Sequence, residues 1–309
     1  MLPKTDKEVI VNISPLKRAL GAGAVLALLT GGLAACSSTE TVADSVDFYG
    51  HTVKLDPELS ERVPADWKSG ITVPLQVLRP NMFVDEKGEN VGMQPDLVTA
   101  IATKLGISVS MEVAPFDAQV PGVQGGQYAF TTATGDFPER QKVLTMVDYT
   151  IAGLGWLTKA DSDIKSVDDI CGRTIGVAKG TNQEVRAEEV VADCDSKGVA
   201  GTQIVGFSNT LMTVPLEADR IDVTFDSISS VVYFAANESD KFKMVGDPIH
   251  DAPIAFGVVA GETEKAELLR DTVKSLMDEG VYTAIFEQWQ LQDLTLKDVF
   301  INGGVDALK

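Results

Sequence analysis

Residues 71–113 constrain this chain more tightly than any other stretch. Ile71, Val73, Leu75 and Val77 recur at every second position, the period of a strand. After a polar turn at residues 85–90, Leu97, Ile101 and Leu105 recur every four residues, and Val98 and Ala100 widen the stripe. That is the period of an amphipathic helix. Pro95 and Asp96 open it, with Asp96 as a candidate N-cap, and Gly106 stops it. Ile107, Val109, Met111 and Val113 then alternate again. Strand, helix, strand is a βαβ unit, whose helical crossover returns the second strand parallel to the first. The fold class is therefore α/β.

The remainder repeats the theme. Strands are predicted at residues 128–133, 154–158, 174–178, 204–207, 221–226 and 254–259. Helices are predicted at 166–170, after Thr181, across 210–218 in spite of Pro215, and at 264–279 and 281–289. At about 150 residues per domain, a chain of 309 residues has room for two such lobes. With 44% hydrophobic and 23% charged residues it is globular, neither disordered nor multispan. Its formal charge is −19, with no cluster of Lys and Arg, which argues against a nucleic-acid partner. Two histidines (His51, His250) and three cysteines argue against a zinc site built from these ligands, and no metal or cofactor is expected.

The N-terminus reads as an address. Lys17 and Arg18 precede an apolar run at residues 19–29, which gives way to small residues ending at Leu33-Ala34-Ala35-Cys36. Positive charge, a short apolar stretch and a small-residue cleavage site make an export signal. Leu33-Ala34-Ala35-Cys36 also resembles a bacterial lipobox, which implies cleavage before Cys36 and lipidation of its thiol. Residues 1–35 are then a lipoprotein signal peptide, and 36–64 a lipidated tether with an N-terminal extension. Cys171 and Cys194 remain, an even pair in an oxidising compartment, and a disulfide is expected. It closes a loop of about 24 residues, worth roughly 3 kcal/mol in the chain-entropy model. Two buried thiols are the alternative.

Five blocks in order resemble the bacterial extracellular solute-binding proteins of family 3, the polar-amino-acid receptors of ABC importers. They are Gly92-Met93-Gln94-Pro95-Asp96-Leu97; Phe137-Pro138-Glu139-Arg140 followed by Val147-Asp148-Tyr149; residues 164–181 with Cys171, Gly172, Gly180 and Thr181; residues 220–227 with Asp222 and Asp226; and residues 278–289 with Gly280 and Trp289. A cysteine beside Gly172, paired with one like Cys194, is similar to actinobacterial members. The resemblance spans about residues 63–289. It implies a type II periplasmic-binding-protein-like fold: two lobes joined by two crossover strands, with the ligand cleft between them. The crossings are expected near residues 151–154 and 251–253, giving lobe 1 as 65–152 plus 253–309 and lobe 2 as 153–252.

The resemblance also implies a function. The chain would be a monomeric, lipid-anchored receptor on the outer face of the cell membrane, passing a polar amino acid to an ABC permease and its ATPase. A dehydratase acting on cyclohexadienyl or arogenate substrates with the same fold, and a sensory lipoprotein without a transport role, stay open.

A zwitterion leaving water needs both charges matched. Arg140 sits in a loop at a strand's carboxyl end, where open α/β sheets bind ligands. Its planar fork suits a carboxylate, and the matching family arginine grips the α-carboxylate. A surface arginine paired with Asp136 or Glu139 is the plainer reading. Gly180 and Thr181 open a helix whose free N–H groups favour the same carboxylate, while residues 181–184 also make a capping box. Asp226, past an apolar strand, is the family's partner for the α-amino group or else a helix N-cap; Asp222 reads as structural. Gly135 stands where the family carries Ser or Thr, with Thr134 adjacent. Asn81 stands beside Pro80, where an aromatic often covers the ligand. Asn81, Met82 and Phe130 are further wall candidates, with a core role favoured for Phe130.

Overall fold

The computed structural model describes residues 45–179, 181–207, 212–250 and 252–309. The expected signal peptide, Cys36, the start of the expected tether and Gly180 lie outside the described residues.

The predicted βαβ unit is present. Strands Ile71–Leu75 and Val109–Val113 pair in parallel, Ile71 opposite Val109, around the helix Met93–Leu105. Leu97, Ile101 and Leu105 on that helix are fully buried, as their spacing requires. The Ala129 N–H donates to the Thr72 carbonyl at 2.9 Å, tying the pair to an antiparallel sheet. That sheet runs Thr295–Ile301, Leu144–Ile151, Pro253–Val259, Thr131–Gly135. Helices Thr263–Asp278 and Val281–Gln288 close its face, burying Leu269, Val273, Leu276 and Ile285 with Val147 and Phe256.

The second lobe is a mixed five-stranded sheet in the order Gln203–Phe207, Thr174–Ala178, Val223–Ser227, Leu154–Lys159, Phe242–Ile249. Trp156 stacks on Phe225 at 4.1 Å in its core. Asp222 is structural, since its Oδ2 accepts the Thr174 N–H at 2.8 Å. The expected disulfide joins Cys171, after the short helix Val167–Ile170, to Cys194 in the helix Asn182–Ser196.

Two adjacent passages connect the lobes. The chain leaves the antiparallel sheet at Ile151, enters the mixed sheet at Leu154, and returns between Ile249 and Pro253. Ile249 pairs with Leu154 and Pro253 with Ile151, and the Ala152 N–H donates to the Ala252 carbonyl at 3.1 Å. The crossings pack so closely that a Cβ on Gly153 would stand 2.6 Å from the Ile249 carbonyl oxygen.

Several expectations are corrected. Most of the described part of the segment 36–64, expected as a tether with an extension, is folded: Ser45–Phe48 and His51–Lys54 form an antiparallel hairpin, and Pro57–Glu61 a helix. Phe48 and Val53 are buried, so this segment is an integral layer on the first lobe. Asp96 is not the N-cap. The helix starts at Met93, and its first N–H groups are taken by loop carbonyls, Met93 N to Pro80 O at 3.2 Å and Gln94 N to Asn81 O at 2.9 Å. The Asp96 carboxylate instead accepts from the Tyr49 hydroxyl at 2.6 Å and the Trp289 indole at 2.7 Å. Burial raises its pKa, and these two donors oppose the rise.

The strand Leu144–Ile151 gave no periodic signal because both its faces are buried, Thr145, Asp148 and Thr150 included. The helix Phe116–Gln124 was masked by Pro121 and Gly122 inside it.

Candidate functional site

Arg140 comes from the single turn Pro138–Gln141, which follows the strand Thr131–Gly135 and bends the chain back toward the cleft. Pro138 at the first helical position presets the backbone there. The Arg140 Nη1 donates to the Gly135 carbonyl at 2.9 Å. Its guanidinium lies 5.1 Å from the Phe116 ring and 5.4 Å from the Phe137 ring, within cation–π range. Burial lowers its pKa, yet a guanidinium stays charged at any physiological pH. Asp136, one candidate surface partner, is occupied elsewhere: it accepts from Gln141 Nε2 and the Gly304 N–H, each at 2.8 Å.

Asp226 is the last residue but one of the strand Val223–Ser227 in the other lobe. Its Oδ1 accepts the Ser227 N–H at 2.7 Å. Ser227, not Asp226, occupies the N-cap position of the helix Ile228–Asn237. Burial lifts the Asp226 pKa to about 7, and the Ser227 N–H only partly offsets this. Thr181 caps the helix Asn182–Ser196: its Oγ1 accepts from the Glu184 N–H at 3.4 Å and donates to the Ala178 carbonyl at 2.6 Å.

These residues meet around one cavity of about 380 Å³, the size of a small-molecule site. Arg140, Gly135 and Asn81 line it from the first lobe, Thr181 and Asp226 from the second. Among the described lining residues, Arg140 and Asp226 are the charged ones. Thr134 is not brought in. Along its strand Ala133 and Gly135 face the cavity, so the two-residue pleat turns Thr134 to the opposite side, where its hydroxyl donates to Thr131 Oγ1 at 2.7 Å. Met82 and Phe130 are fully buried and are not among the lining residues. Phe130 packs against Trp67 and Phe256 instead.

Sequence reading missed Phe116, Phe137, Gln94 and Tyr149, which also line the cavity. Phe137 and Gln94 sit inside quoted blocks and could have been found there. Phe116 carried no signal because its helix could not be placed. Near the cleft, Ser230 Oγ of the second lobe donates to the Arg79 carbonyl of the first at 2.7 Å. Gln290 Nε2 likewise reaches Asn237 Oδ1 at 2.7 Å. His250 belongs to the crossings, with its Nδ1 2.9 Å from the Ala152 carbonyl. Among the described residues there is no His/Cys/Asp/Glu group suited to a metal, and no helix long and apolar enough to cross a membrane.

Two α/β lobes with charged groups converging between them invite comparison with known proteins, and the model of the bacterial extracellular solute-binding proteins, family 3, matches residues 74–292. The chain belongs to this family. Among curated family relatives, the arginine-binding protein ArgT of Corynebacterium glutamicum is 26% identical over 300 residues, covering 93% of this chain and 96% of that one. The structure of an ancestral arginine-binding protein bound to arginine is 28% identical with a TM-score of 0.60, covering 71% of this chain and 97% of that one. An ancestral amino-acid-binding protein described as a precursor of cyclohexadienyl dehydratase is 24% identical with a TM-score of 0.61, covering 71% and 94%; this likeness shows the shared fold. The architecture is that of type II periplasmic binding proteins, and the family is extracellular or periplasmic.

Proposed function

We propose that the chain is the receptor of an ABC importer, held to the outer face of the cell membrane by lipid on Cys36, and that it captures a polar α-amino acid. The lobes are taken as residues 65–152 plus 253–309 and 153–252, with the folded segment 45–64 belonging to the first. One observation carries the reading: a guanidinium from one lobe and a carboxylate from the other line the same cavity. Arg140 takes the α-carboxylate bidentately, supported by the start of the helix that Thr181 caps, and Asp226 takes the α-ammonium. Each lobe holds one end of the ligand, so binding favours the closed state and a permease can sense it. The receptor acts as a monomer with its permease and ATPase, and it binds rather than transforms its ligand.

Titration calorimetry with free amino acids tests this. Arg140→Ala should abolish binding while leaving the melting temperature within a few degrees, since only a partly exposed side chain is lost. Undiminished binding by that variant would overturn the assignment of Arg140. Turnover of prephenate or arogenate would replace the receptor reading with the dehydratase one.

A further inference from the structure

Two buried acidic side chains lie beside the Arg140 turn, and the receptor reading uses neither. Asp136 follows Gly135, and Asp148 lies on the strand Leu144–Ile151. The pleat turns Asp148 away from the helix-covered face that Val147 and Tyr149 share. Consecutive backbone donors bring the two carboxyl groups together. The Gly303 N–H reaches Asp148 Oδ2 at 3.0 Å, and the Gly304 N–H reaches Asp136 Oδ2 at 2.8 Å. Gly303 is right-handed, with φ of −70°, and Gly304 left-handed, with φ of +53°. That succession makes a concave anion site. The two carboxyl groups are also within hydrogen-bond reach of each other.

Two ionised carboxylates in contact repel, so one of them keeps its proton. Asp148 Oδ1 is enclosed with no donor among the described residues, and a hydrogen held between the two groups suits both. Burial, and then the Asp136 charge, lifts the Asp148 pKa to about 8; the titration belongs to the pair. The charged groups on the other elements packed around Asp148 are engaged or exposed. Arg140 donates to the Gly135 carbonyl, Asp298 pairs with Lys274, and Asp306 pairs with Lys309. Asp117, Glu139, Lys142 and Lys297 are exposed.

The pair reaches Arg140 through the turn. Asp136 Oδ1 takes Gln141 Nε2 at 2.8 Å, closing the turn across its base. The Gly135 carbonyl, bonded directly to the Asp136 nitrogen, takes Arg140 Nη1 at 2.9 Å. We infer that Asp136 and Asp148 hold one proton between them and act as positioning residues for Arg140, fastening its turn to the C-terminal segment 303–308. Losing that proton to solvent in alkali leaves two repelling carboxylates, which loosens the turn and the segment together. The consequence for binding rests on the receptor reading; the shared proton does not.

Hydrogen exchange read by mass spectrometry, on the full chain purified in detergent and free of ligand, tests the pair. Corrected for intrinsic rates, protection of residues 137–143 and 302–309 should fall by about tenfold from pH 7 to pH 9. Asp148→Asn keeps a hydrogen to donate and cannot lose it in this range, so its protection should stay level. Asp136→Asn removes the other acid and should also stay level, which serves if the first variant fails to fold. An equal fall in the wild type and a folded variant overturns the inference, as does level protection in the wild type. Calorimetry with the twenty standard L-amino acids then tests the positioning. For the tightest of them, affinity of the wild type relative to the folded variant should drop by about tenfold over the same range, the ligand's own ionisation cancelling in the ratio. A constant ratio overturns the positioning of Arg140. Binding of none of the twenty overturns the receptor reading, and the exchange result still decides the pair.

Discussion

At the scale of single residues, the distinctive group is Asp226. Its carboxyl, lifted to about 7 by burial, is divided between two protonation states near neutral pH in the free protein. An ammonium ligand needs the ionised form, so apparent affinity should fall by about tenfold per pH unit as pH drops below 7. Stability runs the opposite way. The native state holds a proton that the unfolded chain releases, so this group's contribution makes the free protein more stable as pH falls from about 7 toward 4. Calorimetric titration from pH 5.5 to 8.5 checks the first sign. Asp226→Asn should bind about a hundredfold more weakly, with the pH slope lost. An affinity that rises on acidification would count against the carboxylate's role.

Among elements, the loop at residues 78–82 and the helix Met93–Leu105 form one unit. The Pro80 and Asn81 carbonyls take the helix's first N–H groups, and Gly92 makes their approach possible. Its φ is +138°, and a Cβ there would stand 2.5 Å from the Asn81 carbonyl oxygen. Gly92→Ala therefore combines backbone strain with a clash against backbone. It should lower stability by about 2–3 kcal/mol in denaturant titration. Because the displaced loop carries Asn81 into the cavity, ligand affinity should fall with it. Asp96 shows how an element's end escapes sequence reading: it stands in the first turn, as an N-cap candidate would, but the chain folds Tyr49 and Trp289 onto it from 47 and 193 residues away.

For the whole molecule, the disulfide and the cleft divide the work. Cys171–Cys194 links two helices of the second lobe, and neither cysteine lines the cavity. Replacing both with Ser should cost about 3 kcal/mol of stability while leaving affinity unchanged within about twofold. A large loss of affinity in a still-folded double variant would mean that the two helices are coupled to the cleft. The interlobe contacts Ser230–Arg79 and Gln290–Asn237 belong to this scale too, because each joins one lobe to the other.

Local periodicity determined what depends on near neighbours: the βαβ unit, the amphipathic helices and the even cysteine pair. Arg140, Asp226 and Thr181 were legible because each stands at the end of an element whose direction the pattern fixes. The rest needed the tertiary structure, because it depends on what distant segments bring. Thr134 and Gly135 are adjacent in sequence, yet the pleat sends only Gly135 to the cavity wall. Phe116 and Phe137 flank the guanidinium, although the sequence suggested the loop near Asn81 as the place for such a cover. The hairpin at residues 45–54 is too short and too polar to hold together alone. It becomes structure because Phe48, Val53 and Tyr49 find a surface built by chain that follows much later.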